Sequence, residues 1–89
     1  MKQIKVIEEV QGAVGLDSLL GEEVLLICSA YFYTGKLTGV NESFVQLDDP
    51  AIVYETGTWG SKSYNNVEKL HTKRFFVQRQ AIESFGVSK

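Results

Sequence analysis

The sequence predicts a mainly β fold: a small, five-stranded, strongly bent antiparallel barrel behind one short N-terminal helix. Three observations carry that reading. Apolar segments are short and separated by polar turn clusters, as in chains built from hairpins. Two glycines, Gly35 and Gly39, fall inside one strand pattern, which suits a strand that must bend hard to close a small barrel. With 89 residues, of which 44% are hydrophobic and 11% aromatic, the chain has material for one small core and is not disordered.

Residues 2–11 alternate like a strand through Ile4, Val6, Glu8 and Val10, yet Ile4, Ile7 and Val10 also recur as on a helix face. Gly12 and Gly15 end either element. Leu16-Asp17-Ser18-Leu19-Leu20 reads as a short helical turn stopped by Gly21. Glu22 to Ser29 is a strand with apolar side chains on both faces, so it is covered on both sides. Tyr31 to Val40 is the glycine-bearing second strand, Asn41-Glu42-Ser43 a turn, and Phe44 to Leu47 the third. Asp48-Asp49-Pro50 interrupts it, because proline cannot donate to a ladder. Ala51 to Tyr54 then resumes as an extended edge segment. Gly57 to Asn66 is a loop by composition. Leu70 to Gln78 reads as a strand, Arg79-Gln80 as a corner, and Ala81 to Val87 as the last strand.

Chemistry of an enzymatic kind finds no foothold. His71 is the single histidine, with no cysteine nearby, and reads as a surface side chain rather than a ligand or base. Gly57-Thr58-Trp59-Gly60 lacks the Gly-Lys-Ser/Thr ending of a phosphate-cradling loop. Asp48-Asp49, without further oxygen ligands, reads as a solvated turn. No catalytic residue, metal or cofactor is expected. Cys28, the one cysteine, lies in Val24-Leu25-Leu26-Ile27-Cys28 and reads as a buried thiol of a reducing, cytoplasmic compartment. No apolar run approaches the ~20 residues of a membrane helix, and Met1-Lys2-Gln3 leads into no signal-peptide core.

The net charge of −2 argues against a generic phosphate-backbone binder. Its distribution says more. Residues 1–57 hold three basic groups (Lys2, Lys5, Lys36) against nine acidic ones, a net of −6. Residues 58–89 hold six basic groups (Lys62, Lys69, Lys73, Arg74, Arg79, Lys89) against Glu68 and Glu83, a net of +4. The last third of the chain therefore either builds a basic face or carries an ordinary solubilising scatter.

Two segments carry a family resemblance. Gly35, Leu37 and Gly39, followed by Asn41, lie in the first; Val77, Ile82 and Phe85 frame the second. With Leu19, Leu20, Gly21 and Val24 ahead of them, this layout over residues 16–86 resembles the Sm motif of Sm-like (LSm and Hfq) RNA-binding proteins, whose fold is an SH3-like barrel. The resemblance implies one Sm-like domain over 1–89, with 1–15 an N-terminal extension and 57–70 a variable loop. It also implies a homo-oligomeric ring, in which Lys73 to Val77 of one subunit pairs with Ala81 to Phe85 of the next. Phe75, Phe76, Val77, Ile82 and Phe85 are the implied interface residues.

Departures from the motif bear on the ligand. Asn41 stands where the family commonly has Asp, Ser43 at the base-stacking position, and Val45 where an Asn typically reads the base. Val77-Gln78-Arg79 replaces Ile-Arg-Gly, and Arg79-Gln80-Ala81-Ile82 is closer to the Lys-His-Ala-Ile of bacterial Hfq. A pore lined by Asn41, Ser43, Gln78, Arg79 and Gln80 offers guanidinium stacking and amide hydrogen bonds to single-stranded RNA or DNA. Trp59 and Tyr64, interleaved with Lys62, either add a stacking surface or fold back on the barrel. The alternative function for the same ring or barrel is a scaffold for protein partners.

Overall fold

The structure, a computed structural model, describes residues 15–89. The two readings of residues 2–11, and the extension up to residue 14, lie outside the described residues. Six antiparallel strands follow a 3₁₀ turn at Gly15–Leu19: β1 (Glu23–Cys28), β2 (Phe32–Val40), β3 (Phe44–Glu55), β4 (Asn66–Lys69), β5 (Phe75–Gln78) and β6 (Ile82–Val87), the last two joined by a 3₁₀ turn at Arg79–Ala81. They form one sheet in the order β4-β3-β2-β1-β6, with β5 also paired to β3.

The β content matches the sequence reading, but several details correct it. The short helical turn read before Gly21 takes the form of five residues of 3₁₀ turn. Gly15 and Gly21 both have positive φ, and the short stretch between them is too brief to repay α-helix nucleation. The described residues form six strands rather than five, because Asn66–Lys69, within the expected variable loop 57–70, pairs with the second half of β3. The strand expected over 70–78 begins only at Phe75. His71, with φ 57°, sits in the left-handed region, which a strand cannot accommodate.

Pro50 does not end β3. The first half of β3 pairs with β5 from Phe44↔Gln78 to Leu47↔Phe75. Its second half pairs with β4 from Ala51↔Lys69 to Glu55↔Asn66. On the other side, β2 skips from Lys36↔Asp48 to Thr34↔Ala51. Pro50 thus falls where neither ladder asks for an N–H, and Asp49 turns the corner with φ 54°. A proline in a long strand is tolerated at such a bulge. Gly35 faces that bulge. A Cβ there would lie 3.0 Å from Leu47 Cβ, 3.1 Å from Asp48 O and 3.3 Å from Pro50 Cα, so glycine lets the two backbones approach this closely without pushing those neighbours aside. Gly39 borders a second bulge, where Leu37↔Leu47 is followed by Gly39↔Gln46.

The path β5-β3-β2-β1-β6 places two chain-consecutive strands at opposite ends of five. In a flat sheet those ends would be ~19 Å apart at ~4.8 Å per spacing. The link from Gln78 to Ile82 can span only ~14 Å even fully extended, and it is a 3₁₀ turn. The sheet must therefore curl, and it does so around a core of Leu16, Val24, Leu26, Cys28, Leu37, Val45, Leu47 and Val77. No ladder joins β5 to β6, so the curled sheet stays unclosed. Leu25, Ala51 and Val53 are also buried, on the other face by register, which accounts for the apolar character of β1 on both sides. No described helix is long and apolar enough to cross a membrane.

Candidate nucleic-acid interface

The β3–β5 ladder, beginning at Phe44↔Gln78, brings the two polar corners of the sequence together. Asn41, at the end of the β2–β3 hairpin, folds its carboxamide over the turn: Oδ1 accepts from Ser43 N at 2.7 Å and Phe44 N at 2.8 Å. Asparagine is favoured here because its short side chain reaches the amides two and three residues on. The backbone adds Asn41 N→Phe44 O at 3.0 Å. Arg79, opening the 3₁₀ turn after β5, docks onto this hairpin twice. Its amide donates to Ser43 O at 2.9 Å, and its Nη1 donates to Asn41 O at 2.8 Å.

Glu42, Ser43, Phe44, Gln78 and Gln80 line a polar cleft of about 370 Å³ at this junction. Four of the five corner residues singled out in the sequence (Ser43, Gln78, Arg79, Gln80) thus gather around the Asn41 turn. Asn41 itself contributes differently from a ligand-facing side chain: its carboxamide oxygen is committed to the turn, and Arg79 reaches its backbone carbonyl rather than facing the carboxamide across the pocket. The guanidinium keeps further N–H donors beyond that one bond.

Two cleft residues were not foreseen as part of the site. Glu42 sets a carboxylate at the lip. Phe44 is exposed and also lines a neighbouring cleft with Gly39, Val40, Asn41, Gln46 and Phe76. Its ring meets that of exposed Phe76 edge-on, with centroids 5.3 Å apart at 71°. The outward position of Phe44 was readable from the alternation Phe44-Val45-Gln46-Leu47, in which Val45 and Leu47 are fully buried.

The loop residues stand apart from this corner. Trp59 is 62% exposed, and the cation over its ring is Lys89, 5.5 Å from the centroid. Tyr64 also faces Lys89, at 4.9 Å, and its hydroxyl bonds Ser88 Oγ at 2.9 Å. Lys62 has no such ring contact among the described residues. No hydrogen bond, ion pair or ring contact among the described residues ties this loop to the Asn41–Arg79 corner.

The residues proposed for an interface divide by burial. Val77 belongs to the protomer's own core, and Phe75 and Ile82 pack against it. Phe76 and Phe85 are exposed. Burial pushes the Cys28 thiol above the ordinary thiol range, which keeps it protonated at neutral pH. Among the described residues no three His, Cys, Asp or Glu side chains gather as a metal site would.

Comparison of the chain with protein-family models, curated proteins and solved structures gives no match in any of the three. The likeness to Sm-like proteins rests on the residues of this chain alone.

Proposed function

We propose that this chain is an Sm-like protein that closes its curled sheet into a homomeric ring and binds single-stranded nucleic acid, RNA foremost, without catalysis. The observation that carries the reading is the docking of Arg79 on the Asn41–Ser43 hairpin. It unites the two motif segments at one polar cleft, with Gln78 and Gln80 supplying amides and Phe44 an exposed ring. Stacking on such a ring is worth ~1–3 kcal/mol per base, and a ring of subunits sums weak contacts along one strand. Assembly is supported by the free outer edges of β5 and β6, which an unclosed sheet leaves unpaired.

The second reading, a protein-binding scaffold, is favoured by Glu42 at the lip of the cleft, since a carboxylate there repels phosphate. Native mass spectrometry, followed by titration of labelled oligo-U, oligo-A and a matching DNA at two salt concentrations, separates the two. The nucleic-acid reading expects a closed oligomer and salt-sensitive binding. An oligomer that ignores all three oligonucleotides at low salt would transfer the assignment to the scaffold.

A further inference from the structure

The 56–64 loop has a feature that the corner site does not use. Lys89 Nζ donates to Thr56 O at 2.9 Å, to Thr58 O at 2.9 Å and to Ser61 Oγ at 3.2 Å. Three donors meet three acceptors, the full capacity of an ammonium group. The rings of Trp59 and Tyr64 flank the same nitrogen at 5.5 and 4.9 Å, within the range of cation–π attraction. The acceptors are fixed by the loop itself: Ser61 Oγ lies 2.9 Å from both Thr58 O and Ser63 O and donates its one proton to either of them, and Asn65 N closes the loop onto Glu55 O at 2.9 Å. Among the described residues no carboxylate takes part, and carbonyl dipoles and ring faces surround the charge.

We propose that this loop is a binding site for a primary alkylammonium, the end of a lysine side chain, and that Lys89 of the same chain is its resident occupant. The three acceptors specify –NH₃⁺, because each N-methylation removes a donor and adds bulk where a carbonyl stands. A trimethylated ammonium would keep the ring attraction and lose every hydrogen bond. While Lys89 is seated, its ammonium takes up the three acceptors and sits against both rings.

Trp59 is the only tryptophan of the chain, so its fluorescence reports on the site directly. In Lys89→Ala, titration with Nα-acetyl-lysine N-methylamide or n-butylammonium is expected to give a saturable change in that emission. n-Butyltrimethylammonium should bind about tenfold or more weakly, having no N–H to donate. Wild-type protein should show no response over the same range, its site being filled. Absence of any saturable change in Lys89→Ala, equal binding of the trimethylated probe, or an equal response from wild type would each overturn the assignment. Should Lys89→Ala misfold, the wild-type ¹⁵N spectrum decides. A slowly exchanging Lys89 ammonium signal that Ser61→Ala weakens supports the site, and a signal like that of the other lysines refutes it.

Discussion

Phe85 lies directly opposite Leu26 in the β1–β6 ladder, yet Leu26 has no exposed surface and Phe85 is 41% exposed. Val87 repeats the pattern opposite fully buried Val24, at 61% exposure. Both side chains project to the core face at the end of the sheet where no further strand covers them. With Phe76 exposed on the strand at the other end, each end of the curled sheet offers a free edge with apolar side chains. Phe85→Asp and Phe76→Asp are therefore expected to dissociate the proposed ring, an unpaired charge in a buried contact costing several kcal/mol. Neither should unfold the protomer, in contrast to Ile82→Lys, which would also strike the core. Sedimentation of wild type and variants checks this, and a wild-type monomer at micromolar concentration would sink it.

Arg79→Ala should cost little folding stability, because the bond it loses to Asn41 is exposed and water replaces it. If the proposed ring binds a strand, oligonucleotide affinity should drop strongly, with a shallower dependence on salt, since each subunit gives up one cation. Lys62→Ala, removing a lone exposed charge away from the cleft, should change affinity less. Phe44→Ala should lower affinity at every salt concentration while leaving the salt slope in place.

Gly35→Ala is expected to destabilise by ~1–3 kcal/mol, because the added methyl overpacks a junction made partly of backbone. Gly39 has more room, its nearest neighbour being Gln46 Cβ at 3.3 Å. Gly39→Ala should cost less, and Gly39→Val ~1 kcal/mol or more because the branched side chain crowds the bulge. Urea denaturation of the three variants ranks them. Gly39→Ala proving worse than Gly35→Ala would contradict the geometry.

Cys28 gives stability a dependence on alkaline pH. Its folded pKa is raised by burial, so the native state holds the proton longer than the unfolded chain does. That contribution is complete below the ordinary thiol pKa and is lost as pH rises through it towards the folded value. Tyr33, also raised, first by burial and then by the charges of Cys28 and Tyr31, acts with the same sign at higher pH. Thermal melts of wild type and Cys28→Ala across the alkaline range should diverge less as pH increases. A gap that widens with pH would contradict a raised thiol pKa in the folded state.

Strand existence was legible because period-two alternation and turn residues are local signals. The Asn41 turn, the buried Val45 and Leu47, and the covered Cys28 follow from residues within a few positions. What escaped was non-local. Pro50 looks like a strand breaker until one knows that the sheet partners of β3 change over at that residue. Val67 and its neighbours look like loop until the second half of β3 is free to pair with them. The partner of Trp59 was sought in Lys62, close in sequence, whereas Lys89 arrives from the far end of the described chain.

The three-residue turn that forces the sheet to curl also decides how copies of the chain can exchange parts. β6 is held by β1 alone on its inner side, and Arg79–Ala81 is the tether that returns it there. Shortened, that tether could no longer reach, and β6 would find the vacant β1 of a second copy instead, giving a strand-swapped dimer. If subunits meet edge to edge as proposed, the length of this corner guards the boundary between that contact and subunits threaded through one another.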